Sequence, residues 1–274
     1  MKKISIIIVH YYIESILFDC LATIDQKRAE IIVVDNGSKP GFKQRFLEKY
    51  PHVVYIKSPK NLGYGAGNNL GAQKATTDYL FFLNPDTQLH KNALKNILEF
   101  AQKNPHIGII APTLVHENGT YFSQQGSQLL TPLTALFAHS ILHTLWKKNP
   151  IAKHFWLAKI DQKKNRKVAV VPGTAFVISK KLFDNIGRFD PYFFLYFEEY
   201  DLCKRVLEQN KEVWMLGNAL VTHHWGVTTQ LRPTKKIYAR SFEYYLVKHY
   251  GFLGKITFWL TQISARQLVA FLIL

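Results

Sequence analysis

Four short runs rich in β-branched and aromatic residues punctuate the first third of this chain: Ile4–Val9, Glu30–Asp35, Val53–Lys57 and Tyr79–Leu83. Each of the first three is followed by a stretch with helical periodicity, beginning with Ile13–Gln26, and the last of these stretches enters through a glycine-rich turn. A continuous apolar run suits a strand covered on both faces. Strand–helix alternation with short connections leaves an α/β fold with a parallel, doubly wound sheet flanked by helices. Ligands of such sheets gather beyond the carboxyl ends of the strands. Those ends carry His10-Tyr11, Asp35-Asn36 and Asn84-Pro85-Asp86, so polar residues collect along one edge. Lys2 and Lys3 precede the first run, but that run is too short for a signal peptide and no small-residue cleavage site follows. No internal segment holds the ~20 consecutive apolar residues of a spanning helix.

The alternation weakens after Pro112. Leu129–Trp146 is apolar, and the lysine-rich stretch Lys147–Lys167, with Asp161 as its one acid, reads as a mobile, solvated connection. Order resumes at Val168–Val171, and a last core strand at Glu212–Met215 leads to Val221-Thr222-His223-His224. In 274 residues, 15 glycines, 11 prolines and 14% aromatics exclude collagen-like and wholly disordered chains. Cys20 and Cys203 allow one bridge at most and point to a reducing compartment. Lys+Arg 35 less Asp+Glu 19 leaves +16. Such a charge calls for a polyanionic partner: nucleic acid, an anionic membrane surface or a phosphorylated substrate. The lysines cluster in one connection instead of interleaving with aromatics, which argues against nucleic acid.

Each polar motif has a functional and a structural reading. Asp35, closing a buried strand, can accept hydrogen bonds from a nucleobase or ribose, or can cap a turn. The stretch Asn61-Leu62-Gly63-Tyr64-Gly65-Ala66-Gly67-Asn68-Asn69-Leu70-Gly71 lets backbone approach a ligand, or makes a tight helix entrance. Its three asparagines exceed what a cap requires. Asn84-Pro85-Asp86 is a common turn, yet its position faces Asp86 to the same crevice as Asp35, where a hard cation would want oxygen ligands. A helix starting at Glu198 puts Glu198 and Asp201 on one face and Glu199 on another, with Asp201 four residues before Arg205. Acids beside the aromatic run Tyr192–Phe197 can have raised pKa values and act as bases. His223 can join a metal shell, touch a diphosphate or simply end a strand.

Taken in order along about residues 3–230, these pieces resemble an inverting family-2 glycosyltransferase of GT-A fold, particularly its rhamnosyltransferase-like branch. The resemblance also draws on Pro172-Gly173-Thr174-Ala175, Gly187-Arg188-Phe189-Asp190 and His223-His224-Trp225-Gly226. It implies a GT-A domain over residues 1–230, with a nucleotide-binding half over 1–112 and an acceptor half over 113–230. A basic and apolar, helical or amphipathic extension would occupy 231–274. Asp35 would hold the base, helped by Val9, His10 and Tyr11. Asn61, Gly63, Asn68, Asn69 and Asn84 would contact nucleotide and donor sugar. Asp86 would bind a divalent metal, Mg²⁺ or Mn²⁺, with His223 on metal or diphosphate. Gly173, Thr174 and Ala175 would line the acceptor side. Glu198-Glu199 matches the family's Glu-Asp pair, whose second acid is the base. Two departures stand out: Ile13 follows Tyr12 where the family has Asn or Asp, and Glu199 replaces Asp, moving the carboxylate by about 1 Å.

The function implied is transfer of a sugar from a nucleoside-diphosphate sugar, with dTDP-rhamnose the first expectation, to a glycan or lipid-linked acceptor. A sugar nucleotidyltransferase would show a Gly-rich basic loop after the first strand, and His10-Tyr11-Tyr12 offers none. Ile256–Leu274, with Arg266 as its one charge, is expected to dock on the core or to lie on an anionic membrane surface. Nearby Lys235, Lys236, Arg240, Lys248 and Lys255 would hold it there, and Leu129–Trp146 would lie alongside. That places the protein on the cytoplasmic leaflet.

Overall fold

A computed structural model describes residues 3–224 and 234–263. The chain runs β1 (Ile4–His10), α1 (Glu14–Ala22), β2 (Glu30–Asp35), α2 (Phe42–Lys49), β3 (Val54–Lys57), α3 (Tyr64–Lys74), β4 (Tyr79–Leu83) and β5 (Thr87–Leu89). It continues with α4 (Ala93–Lys103), β6 (Ile107–Val115), α5 (Pro132–Ala138), α6 (Ile141–Leu145), α7 (Pro150–Phe155), β7 (Arg166–Val168) and β8 (Ala175–Ser179). Last come α8 (Lys180–Asn185), α9 (Glu198–Glu208), β9 (Glu212–His223) and α10 (Thr234–Thr261). The strands form one sheet in the order β3-β2-β1-β4-β8-β6-β9-β5, with β7 paired to β9. β1, β2, β3, β4, β6 and β9 run one way, while β5, β7 and β8 run the other. The four-strand parallel half is the one the apolar runs predict. Every residue of Ile4–Ile8 is buried, as a strand between two helical layers must be. Both cysteines are buried and free.

Cores fill both faces of the sheet, one around Ile6, Val33 and Phe81, the other around Ile7, Phe82 and Phe176. A third core, built on Phe155, Phe193, Phe197, Phe242 and Tyr245, joins α5, α7 and α10 to the residues before α9. It corrects the reading of Lys147–Lys167 as a solvated connection. Ala152 and Phe155 are buried in α7, and Arg166 is buried in β7 against Thr113, Gln162 and Met215. Lys153 of α7 and Lys167 of β7 are exposed beside these buried residues. Leu129–Trp146 likewise packs through Leu130, Ala135 and Ala138, leaving Leu133, Leu145 and Trp146 exposed. α10 breaks at Gly251 (φ 56°) into two arms. The second folds back so closely that a Cβ on Gly254 would lie 1.9 Å from the Leu246 carbonyl oxygen. Leu268–Leu274 and Trp225-Gly226 lie outside the described residues.

Candidate active site

A cavity of about 420 Å³ opens at the carboxyl edge of the parallel strands. Val9 reaches it from β1, Tyr11 and Asn36 from just beyond β1 and β2, and Asn84, Pro85 and Asp86 from the turn after β4. β8 runs antiparallel, so its approach meets this edge and brings Pro172, Gly173 and Thr174. Phe194, Leu195 and Tyr196, just before α9, close it with Glu198 and Glu199 of its first turn, and His223 from the end of β9. Of the residues singled out in the sequence, His10, Asp35, Asn68, Asn69 and Ala175 do not line it.

Those five make their contacts elsewhere in the fold. Asp35 accepts hydrogen bonds from the backbone N–H groups of Gly37 and Ser38 and from the Tyr55 hydroxyl. Burial alone would raise its pKa, but these donors hold it below the ordinary carboxylate value. The neighbouring His10 packs against Phe42 with its ring tilted and is pushed down to about 4 by burial, so its ring is neutral. Asn69 spends its amide on the backbone of Phe189, donating to the carbonyl at 2.8 Å and accepting from the N–H at 3.1 Å. Asn68 is buried in α3 and donates to the Tyr64 carbonyl, and Ala175 is buried as the first residue of β8. Glycines let α3 lie this close to the sheet: a Cβ on Gly71 would sit 2.4 Å from Ile7.

Asn36 links the wall together, donating to Asn61 Oδ1 and the Gly63 carbonyl and accepting from Leu62 N–H. Gly63 (φ 84°) is required where it stands, since a Cβ would lie 2.1 Å from the Phe194 carbonyl oxygen. Tyr64 donates its hydroxyl to the Gly173 carbonyl. Burial raises its pKa, and the charges of Glu198, Glu199 and Asp86 raise it further, so the three acids converge around one phenol. Asn36 and Tyr64 carried no separate signal, because each lay inside a motif read for its neighbours.

The Asp86 carboxylate and His223 Nε2 lie 3.5 Å apart, both side chains buried. β5 pairs with β9 in a register that sets Thr87 opposite His223, and His224 N–H donates to the Asp86 carbonyl. Among the described residues no group of three or more His, Cys, Asp or Glu side chains forms a metal cage. One carboxylate and one imidazole at the cavity wall suit a divalent ion that takes its remaining ligands from substrate phosphates and water. Across the cavity, α9 opens with Glu198 and Glu199. Burial pushes both carboxyls up, Glu199 to about 7, and Glu198 is raised further by the charge of its neighbour. An Oε2 atom of each is buried without a hydrogen-bond partner. The helix entrance is strained, for Tyr196 (φ 71°) and Phe197 (φ 66°) are both left-handed without being glycine. One turn on, fully buried Asp201 pairs with Arg205, as the spacing predicts, and with Lys248 and His249 of α10.

Solved structures share this architecture. GalNAc-T7, crystallised with UDP, GalNAc and Mn²⁺, superposes with a TM-score of 0.61 at 17% identity, over 81% of this chain and 43% of that one. S. aureus TarS 1–349 superposes at 0.58 and 16% identity, over 90% and 65%. In sequence, the N-acetylglucosaminyl-diphospho-decaprenol L-rhamnosyltransferase of Mycobacterium tuberculosis is 24% identical over 233 residues, 80% of this chain and 74% of its own. The low-salt glycan biosynthesis hexosyltransferase Agl10 of Haloferax volcanii is 28% identical over 215 residues, 77% of this chain and 63% of its own. The model of glycosyl transferase family 2 matches residues 5–187, well over half of the chain. On that match and this architecture, the chain belongs to glycosyl transferase family 2 and is a glycosyltransferase of GT-A fold.

Proposed function

We propose that the protein transfers a sugar, with inversion, from a nucleoside-diphosphate sugar to a hydroxyl of a lipid-linked or cell-surface glycan. One observation carries this reading: a single cavity has a glutamate pair on one wall, Glu198 buried and Glu199 half-buried, and the Asp86–His223 pair on another. Glu199 takes the acceptor hydroxyl proton as that oxygen bonds to the anomeric carbon, and the bond from that carbon to the diphosphate oxygen breaks with its electron pair. Asp86 and His223 would hold a divalent metal, Mg²⁺ or Mn²⁺, which neutralises charge on the departing diphosphate. Asn61, Asn84 and the turn at Gly63 line the donor side, and Gly173 and Thr174 the acceptor side. Gly173 also packs on Glu199, where a Cβ would lie 3.6 Å from the Glu199 carboxyl carbon.

The rhamnosyltransferase relative makes dTDP-rhamnose the first donor to test. A thermal-shift screen of nucleoside-diphosphate sugars with and without Mn²⁺ tests the reading, because a ligand bound only by the native state raises apparent stability. dTDP-rhamnose should stabilise most and only with metal. Stabilisation by none of the sugars would overturn the assignment, and retention of anomeric configuration in product would overturn inversion. The proposed place of work is the inner face of the cytoplasmic membrane, with the exposed Phe252, Leu253, Ile256 and Trp259 of α10 as the attachment.

A further inference from the structure

A second cavity, of about 470 Å³, lies where the start of the first arm of α10 and the end of its second arm meet the end of α5. Its volume is within the range of small-molecule sites, about 300–1,000 Å³. His139, Tyr196, Lys235, Tyr238, Phe242 and Gln262 contribute to its lining. Tyr196 lines the catalytic cavity as well, so the two spaces share a wall. That wall is held by the left-handed backbone at Tyr196 and Phe197 and by the edge-on contact of the Tyr196 and Tyr238 rings, 5.5 Å between centroids.

Among the described residues the lining contains no acid, and Lys235 is its one full cation. His139 is neutral, its pKa lowered to about 4 by burial and by His143. Its Nδ1 is 3.0 Å from the Tyr238 hydroxyl, while Nε2 is buried without a hydrogen-bond partner. With the Tyr238 hydroxyl donating to Nδ1, the remaining proton sits on Nε2, which becomes a donor. Thr234 and Gln262 add neutral donors, and the first turn of α10 adds the positive end of a helix dipole. A sugar ring calls for several carboxylates or amides matched to its hydroxyls, and among the described residues this lining has one amide. The donors and the Lys235 cation among the described residues suit phosphate oxygens.

We propose that this cavity binds the diphosphate through which a lipid-linked acceptor is carried, with Lys235 as its cationic contact and the sugar to be modified reaching past Tyr196 to Glu199. The inference rests on the transfer reading above. It assigns a second diphosphate site, apart from the donor's at Asp86. From it the lipid would leave along the second arm of α10, where Phe252, Ile256 and Trp259 are exposed.

The test is calorimetry on the full chain in Mg²⁺, with the catalytic cavity first saturated by the nucleoside diphosphate that stabilises it best. Geranyl diphosphate should still bind. Lys235→Gln, at an exposed position, should weaken that binding at least about tenfold, the loss of one charge-assisted hydrogen bond. Inorganic pyrophosphate should bind more weakly than geranyl diphosphate; equal or tighter binding would overturn the lipid-carrier assignment. Displacement of geranyl diphosphate by the nucleotide, or unchanged affinity in Lys235→Gln, would overturn the site. Nucleotide binding without any geranyl diphosphate binding would defeat this inference alone. Absence of nucleotide binding would instead fault the transferase reading.

Discussion

Two adjacent glutamates in the first turn of α9 occupy surroundings that disfavour both charges. Burial raises each carboxyl, Glu199 to about 7, and the charge of Glu199 raises Glu198 further. A base tuned to neutrality gains driving force for proton abstraction without being protonated most of the time. Glu199→Gln should therefore leave donor binding intact and lower turnover at least about a hundredfold, with Glu198→Gln doing less; the reverse order would move the base to Glu198. The rate should rise with pH through about 7, and that limb should vanish in Glu199→Gln. Stability should move the opposite way. A carboxyl whose folded pKa lies above its unfolded value binds protons better in the native state, so stability falls as pH rises from about 4.5 through about 7. Glu199→Gln should raise the melting temperature at pH 8 and leave it unchanged at pH 4. Across the cavity, Asp86→Ala should abolish metal-dependent tightening of nucleoside-diphosphate binding while keeping the fold, by calorimetry with and without EDTA. Metal-independent binding in the wild type would remove that role for Asp86.

At the scale of elements, α9 delivers the glutamates and is itself held from two sides. Its entrance is the left-handed Tyr196–Phe197 pair, and its next turn is anchored where Lys248 and His249 of α10 and its own Arg205 meet Asp201. Lys248 also reaches Asp190, to which Tyr244 donates. These donors hold Asp201 well below the usual carboxylate range despite its burial. Asp201→Asn should cost about 3–5 kcal/mol in urea unfolding, the usual loss when one partner leaves a buried ion pair. A change within experimental error would show that the cations find other partners. The Asp201–Arg205 pair was legible because helical spacing is local, and β1 and β2 were legible because two-sided burial writes itself as β-branched runs. The α10 contacts were not, since nothing local ties Lys248 to Asp201 across 47 positions. The left-handed entrance was equally hidden: tyrosine and phenylalanine are poor candidates for positive φ, and the third core imposes it. Asn69 misled for a related reason, because a polar side chain in a glycine-rich turn reads as ligand-binding until its backbone partner at Phe189 is known.

The whole molecule carries +16, and its last described helix is amphipathic in an unusual sense. The second arm of α10 docks on the first through Gly254, Thr257 and Thr261, all buried, with the Thr257 hydroxyl donating back to the Leu253 carbonyl. Small and polar residues thus face inward, leaving Phe252 at 78%, Leu253 at 58% and Trp259 at 60% exposure, with Ile256 and Lys255 between them. Among the described residues no helix is long and apolar enough to cross a membrane. An exposed apolar face flanked by lysines instead suits an anionic bilayer surface, where each Lys or Arg adds about 1 kcal/mol. Docking this way would bring the second arm of α10, whose end lines the second cavity, to the headgroups. The apolar and ionic parts of that attachment predict separate responses. Binding to vesicles containing phosphatidylglycerol should weaken as salt rises, because the lysine contribution is screened within about 10 Å at 0.1 M. Replacing Phe252, Leu253, Ile256 and Trp259 together by serine should remove most of the binding that survives high salt. The same variant should keep its melting temperature and its affinity for nucleoside diphosphates, since none of the four lines either cavity. If it binds vesicles as well as the wild type but melts lower, the face is covered by the protein itself and the membrane attachment is wrong.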